Sequence, residues 1–304
     1  MIKHSIVTWD SSFRNFFHLL PSLSEQDYDL DNIEVIFVEQ RSESTAQAVA
    51  DAFGVSSVFQ LCDTLRNRLN VRILCMNEPE SEPYHPGRLL NAGLMEAQGE
   101  IVSTMDADIL VTRDFLRVLD QVHAADPMVV ANLYRYTADR PCGVSRKNWT
   151  RQIIDYELIR NTCPNGMSPI PDFVQNKAPL LSARREHWQA IHYYDSHRVF
   201  STAYTLFGRD IAMRFRLLLG ETEQVLPVAS VHPWHPTELS RGQDIYQILF
   251  SVQDALIKWS EDNRCFDVEK RKAVSDVLYK KYQDAIETAI ETSEQNMRAS
   301  TRGR

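Results

Sequence analysis

Tyr84–Val111 reads YHPGRLLNAGLMEAQGEIVSTMDADILV. Its first half predicts a helix over Arg88–Gln98, which Gly99 can close in the left-handed conformation. Its second half is an apolar strand, Ile101–Met105, that delivers Asp106 and Asp108 at its carboxyl end with one small residue between them. Two carboxylates so close repel each other unless a cation neutralises them, and hard oxygen ligands suit Mg²⁺ or Mn²⁺. Taken alone, the same string also fits a solvated turn in which Asp106 or Asp108 caps the next helix.

Outward from this stretch, the first 135 residues alternate strand and helix patterns. Apolar runs predict strands at Ser5–Trp9, Ile33–Val38, Val71–Met76 and Met128–Tyr134. Between them, Phe13, Phe16, Phe17 and Leu20 mark a helix capped by Ser11 or Ser12 and stopped before Pro21. Ser44–Phe53 and Val58–Leu69 read as short helices, and Thr112 is placed to cap a helix bearing Phe115, Leu119 and Val122. Near-continuous apolar strands separated by helices predict an α/β fold with a mostly parallel sheet covered on both faces. Ligands then bind beyond the carboxyl ends of the strands. That draws attention to Thr8-Trp9-Asp10, Glu39-Gln40-Arg41, Asn77-Glu78 and Asp106-Ala107-Asp108.

Thr137–Ala183 is irregular and rich in Pro and Asn, with a helix near Trp149–Ile159 and a loop at Cys163–Pro179; a stretch this long is a candidate binding loop or lid. Order returns over Arg184–Gly220, with a helix at Ile211–Leu219 ended by Gly220, and a last strand at Gln224–His232. Two amphipathic helices follow, striped by Ile245, Ile248, Leu249, Val252, Leu256 and Trp259, then by Val274, Leu278, Tyr282, Ala285 and Ala289. The expected organisation is a domain over 1–240, made of halves 1–135 and 136–240, with a helical extension over 241–304.

Composition narrows the function. Lys and Arg number 33 against 41 Asp and Glu, a net charge of −8 that argues against nucleic acid as a partner. No apolar run approaches the roughly 20 residues of a membrane helix, and no secretory leader pattern is present. Five scattered cysteines read as reduced thiols, so a cytoplasmic protein is expected. No G-x-G-x-x-G turn follows an early strand, no Gly-rich loop ends in Lys-Ser or Lys-Thr, and no Gly-rich N-terminal signature of a sugar nucleotidyltransferase is present.

Tyr84–Val111 resembles the core signature of A-type (GT-A fold) glycosyltransferases, and glycosyltransferase family 2 most closely: a basic residue and an Asn before a helix, a Gly, an apolar strand and the D-x-D motif. The resemblance covers residues 4–135 and, more loosely, 180–235. It implies a metal-dependent hexosyl transfer from a nucleotide-diphospho-sugar to an acceptor hydroxyl, with UDP-sugars favoured over GDP-sugars, and inversion as the expected outcome. It places Thr8, Trp9 and Asp10 in the nucleotide pocket, Glu39 on the base, and Arg88 and Asn91 on the nucleotide or its phosphates. Asp106 would contact the ribose or the ion, and Asp108 would be the main ligand of Mn²⁺ or Mg²⁺, completed by His232 or, second, His235. Asp210 is the implied base and Asp195 the alternative. The chain departs from the family at Glu39-Gln40-Arg41-Ser42, where two acids followed by Gly and Ser are usual, at Trp9, which is bulkier, and at Arg209, which replaces an acid.

Each site residue also has a plainer reading. Glu39 and Arg88 suit salt bridges, Asp210 suits a helix cap, and His232 and His235 suit a rigid turn that packs Trp234. Arg184-Arg185 reads as a solvated pair, Tyr193-Tyr194 as core, and the C-terminal helices as a cover or a homo-oligomer contact. Arg209 keeps open a catalytically degenerate domain that binds a nucleotide sugar or a protein without turnover.

Overall fold

The chain alternates elements as its apolar pattern requires. The fold is that of a computed structural model, described over residues 2–10, 18–44, 68–138, 167–170, 180–201, 206–232 and 246–302. The N-terminal half runs β1 (His4–Asp10), α1 (Leu19–Ser24), β2 (Ile33–Glu39), β3 (Val71–Cys75), α2 (Pro86–Glu96), β4 (Ile101–Asp106), β5 (Leu110–Val111), α3 (Phe115–Ala125) and β6 (Val130–Ala138). It continues through β7 (Met167–Ile170), β8 (Leu180–Arg184), α4 (Arg185–Ala190), α5 (Phe207–Leu219) and β9 (Glu223–His232). Three helices close the chain: α6 (Tyr246–Asp262), α7 (Val268–Lys281) and α8 (Gln283–Arg302).

The strands join one sheet in the order β3-β2-β1-β4-β8-β6-β9-β5, with β7 on β6. Only the β3-β2-β1-β4 half is uniformly parallel; β8 runs antiparallel to β4 and β6, while β9 returns parallel to β6. The sheet is therefore mixed, with most of its paired positions parallel. Three strands are missing from the sequence reading: the two-residue β5, β7 inside the stretch expected to be loop, and β8 at its end. Residues alternate between two buried faces, as a doubly covered sheet demands. Ile6, Val35, Phe37 and Met105 pack under α1 and α3, whereas Val7, Ile36, Val38 and Val102 pack under α2, α4 and α5.

Several local expectations are corrected. α1 carries Pro21 inside its first turn instead of stopping before it, because N–H groups there have no helical partner to lose. α3 starts with Asp114 at its N-cap, and Thr112 serves through its carbonyl, which accepts from the Phe115 N–H at 3.2 Å. The two C-terminal helices are three, since the second stripe breaks at Tyr282 between α7 and α8, and Ile248 faces outward at 44% exposure. Their apolar faces close on one another and on Val199 and Phe200. The expected helix at Trp149–Ile159, nearly all of those at Ser44–Phe53 and Val58–Leu69, most of the Phe13–Leu20 helix and most of the 163–179 loop lie outside the described residues.

Gly99 is required for a different reason from the one expected. α2 ends at Ala97 in extended backbone, and a Cβ on Gly99 would lie 2.6 Å from the Ser5 nitrogen and 2.8 Å from the His4 carbonyl carbon. Backbone cannot yield there, so Gly99→Ala should cost about 1–3 kcal/mol. A urea midpoint unchanged from wild type would refute this close approach.

Candidate active site

Parallel register brings three strand ends to one edge of the sheet. β1 sets Asp10 opposite Glu39 of β2 and Trp9 opposite Asp106 of β4. Beyond β4 the chain turns through Ala107 and Asp108 into β5, which pairs antiparallel with β9 so that Leu110 faces Val231. His232, one residue further along β9, is thereby carried to the D-x-D turn. Its Nε2 lies 3.3 Å from Asp108 Oδ2, and the Asp108 side chain is 8% exposed. Arg135, near the carboxyl end of β6, places NH1 3.8 Å from Asp106 Oδ2. The sequence reading overlooked Arg135, although it too lies near the carboxyl end of a strand.

The structure thus brings His232 to Asp108, 124 positions earlier, in the turn that also carries Asp106. Two oxygen-bearing side chains and an imidazole suit Mn²⁺ or Mg²⁺ in kind. Among the described residues no three His, Cys, Asp or Glu side chains already converge on a metal position. His235 lies outside the described residues.

Arg88, Asn91 and Trp9, implied as nucleotide contacts, are held by protein partners. Arg88 pairs with Glu78 and, at 3.0 Å, with Glu82. Gln40 and Arg41 brace the same 78–83 loop, Gln40 through Glu78 at 3.0 Å and Arg41 through the Glu82 carbonyl at 3.1 Å. Asn91 brackets Tyr194, donating to its carbonyl and accepting from its N–H, both at 2.9 Å. Trp9 Nε1 donates to the Tyr84 hydroxyl at 2.7 Å. Thr8 is wholly buried, with its Oγ1 lacking a hydrogen-bond partner. Glu39 is buried at the end of β2, and its Oε1 lies 3.4 Å from the Arg41 N–H.

The two candidate bases occupy one buried ionic cluster. Asp210 does not cap α5; it sits in the first turn, where Leu206 is the N-cap. Its Oδ2 accepts from Arg214 Nε and Arg271 NH1, each at 3.0 Å, and its Oδ1 accepts from Arg271 NH2 at 2.6 Å. Burial pushes the Asp210 carboxyl up, but the two guanidinium groups outweigh it and hold the group below the usual carboxylate range. Asp195 differs. One oxygen accepts from the His197 N–H at 2.9 Å, while Oδ2 has no hydrogen-bond donor and lies 3.6 Å from Arg271 NH2. Burial, seconded by Asp210, raises its proton affinity against the pull of Arg271 and Arg214. Arg209, standing where an acid is usual, turns to Asp254 of α6 at 2.6 Å.

His85 links the two regions. Its Nδ1 accepts from the Arg88 N–H at the start of α2, and its Nε2 lies 3.2 Å from the His197 carbonyl. That pattern requires neutral imidazole, and burial lowers His85 from 6.5 to about 4. Burial likewise lowers His4 and His123 to about 4. All three bind protons more readily unfolded than folded, so their stabilisation is full above about 6.5 and is lost as pH falls toward about 4. Urea unfolding across that interval should show a loss of a few kcal/mol; a flat profile would contradict the buried neutral histidines.

A model of the family described as Glycosyl transferase family 2 matches residues 18–175, just over half of the chain. The chain belongs to glycosyl transferase family 2. Its D-x-D turn, β4 and α2 all fall within the matched span. The poly(ribitol-phosphate) beta-N-acetylglucosaminyltransferase TarS of Staphylococcus aureus strain Mu50 is 27% identical over 119 residues, covering 38% of this chain and 18% of that protein. The structure of S. aureus TarS 1-349 in complex with UDP aligns at TM-score 0.55 and 17% identity, covering 99% of this chain and 90% of that one. The complex of the same fragment with UDP-GlcNAc aligns at TM-score 0.54 and 15% identity, again covering 99% and 90%. These likenesses establish the GT-A fold. Against a longer TarS structure the chain spans 44% of that protein's length. Among the described residues, no helix is long and apolar enough to cross a membrane.

Proposed function

We propose that this family 2 chain moves a hexose from a nucleotide-diphosphate donor, a UDP-sugar before a GDP-sugar, to an acceptor hydroxyl with inversion. The observation that carries the reading is the Asp108–His232 contact beside Asp106, at the carboxyl edge where β1 and β2 also end. The UDP and UDP-GlcNAc complexes of the TarS fragment, on the same fold, support the choice of donor. Asp108, Asp106 and His232 would hold Mn²⁺ or Mg²⁺, whose chemistry is to offset charge on a departing diphosphate. Glu39 and the Thr8–Asp10 strand end belong, in the same reading, to the nucleotide side. A glycan or another hydroxyl compound is the acceptor. Cys75 and Cys265, free in the structure, accord with a cytoplasmic setting.

For the acceptor proton, we take Asp195 before Asp210. Asp210 has donors on both oxygens, whereas Asp195 keeps Oδ2 without a hydrogen bond and has the higher proton affinity. Asp195→Asn should lower kcat about a hundredfold or more and leave UDP affinity within about twofold. A fully active variant would remove Asp195 as the base.

The direct test is a calorimetric panel of UDP, GDP, CDP and dTDP, each with Mn²⁺ and with chelator. Metal-dependent binding of one nucleotide supports the donor site and names its base; binding of none overturns it. The locked Asp210 and the Arg209–Asp254 pair favour a second reading, a domain that binds a nucleotide sugar or a protein without turnover. Release of nucleotide diphosphate in the presence of donor and acceptor separates the two.

A further inference from the structure

α7 lies outside the span matched by the family model, yet one of its side chains reaches the carboxylates that matter for transfer. Arg271 is wholly buried, an unusual place for a guanidinium unless it is paired. It donates twice to Asp210, at 3.0 and 2.6 Å, and its NH2 stands 3.6 Å from Asp195 Oδ2. Arg214 completes the group from α5, bonding Asp210 and the Ile191 carbonyl at 2.7 Å. α7 is itself anchored at its start, where Asp267 accepts from the Glu269 and Lys270 N–H groups.

We infer that Arg271 is a positioning residue for sugar transfer: it fixes Asp195 and Asp210 relative to each other and sets the charge that Asp195 experiences, which makes α7 a working part of the site. This rests on the reading of Asp195 as proton acceptor. Carboxylates that share one guanidinium repel each other, and the positive charge of Arg271 beside them favours the ionised form of each. Arg214 alone does not do this, because its hydrogen bonds go to Asp210 and Ile191. The charged groups facing Asp195 are Arg271 from α7 and Asp210 and Arg214 from α5. The neighbouring titratable groups are His197 on the same loop, His85 at the start of α2, and Cys265, which faces Arg271.

The test compares wild type, Arg271→Lys and Arg271→Met by release of nucleotide diphosphate from UDP-GlcNAc, UDP-glucose, UDP-galactose and GDP-mannose with Mn²⁺ and water as acceptor, each as a pH profile. UDP binding and urea unfolding are measured on the same proteins. In Arg271→Met the acidic limb of kcat should move up by about one pH unit or more, since removing an adjacent positive charge favours the protonated carboxyl. kcat should fall about tenfold or more at neutral pH, with UDP affinity within about twofold. Arg271→Lys should restore part of both, and it serves as the test should the Met variant not fold. An unmoved limb in folded Arg271→Met, or in Arg271→Lys if only that folds, would leave Arg271 structural and overturn the inference. A fully active Asp195→Asn overturns the base reading instead. Release from none of the four donors overturns the transferase reading, and this inference with it.

Discussion

Asp108→Ala should weaken UDP binding in Mn²⁺ about a hundredfold and leave the much weaker binding in chelator unchanged. The side chain is buried at the turn after β4 and faces His232 at 3.3 Å, so its removal deletes the carboxylate that meets the imidazole. Loss of groups that merely orient a ligand already costs about 10–100-fold in metal affinity, and a direct ligand costs at least that. The local fold should survive, because Asp108 lies in a turn and the apolar pairing of Leu110 with Val231 remains. Calorimetry with Mn²⁺ and with chelator reads the effect. Equal metal-dependent affinity in the variant would refute the assignment of the ion to this turn.

The second large effect belongs to Asp210→Asn, and it concerns folding. Arg214 and Arg271 are both wholly buried, and Asp210 supplies their hydrogen-bonded counter-charge. Removing one partner of a buried ion pair strands the others in a medium that cannot solvate them, at about 3–5 kcal/mol. A domain with only about 5–15 kcal/mol in hand would lose much of its stability. Urea unfolding at neutral pH is the measurement. If Asp210→Asn unfolds like wild type but no longer transfers sugar, Asp210 regains the role of base and Asp195 loses it.

Some of this molecule is legible by eye along the chain. Local rules suffice for β1 to β4, because each is a run of apolar residues flanked by turn chemistry, and both faces of the sheet are buried. The same holds in part for α2, expected over Arg88–Gln98 and found over Pro86–Glu96, and for α5, expected from Ile211 and found from Phe207, whose end at Gly220 (φ 84°) was legible. β8 was not legible. It pairs with β4 from almost eighty residues away, and nothing local distinguishes it from the irregular stretch before it. The joint at Tyr282 was hidden because the apolar spacing runs on through a break in the backbone.

The site divides along the same line. The sequence by itself determined the family, the parallel core and the D-x-D turn, since these depend on residues close together in the chain. The tertiary structure decided which distant side chains meet them. β9 returns parallel to β6 and carries His232 to Asp108; β6 brings Arg135 to Asp106. α7 folds back to place Arg271 on a carboxylate 61 positions earlier. An isolated aspartate before a helix reads equally as a cap, a base or an ion-pair partner. Its partners, and with them its proton affinity, are set by strand register and helix docking, which no local spacing encodes.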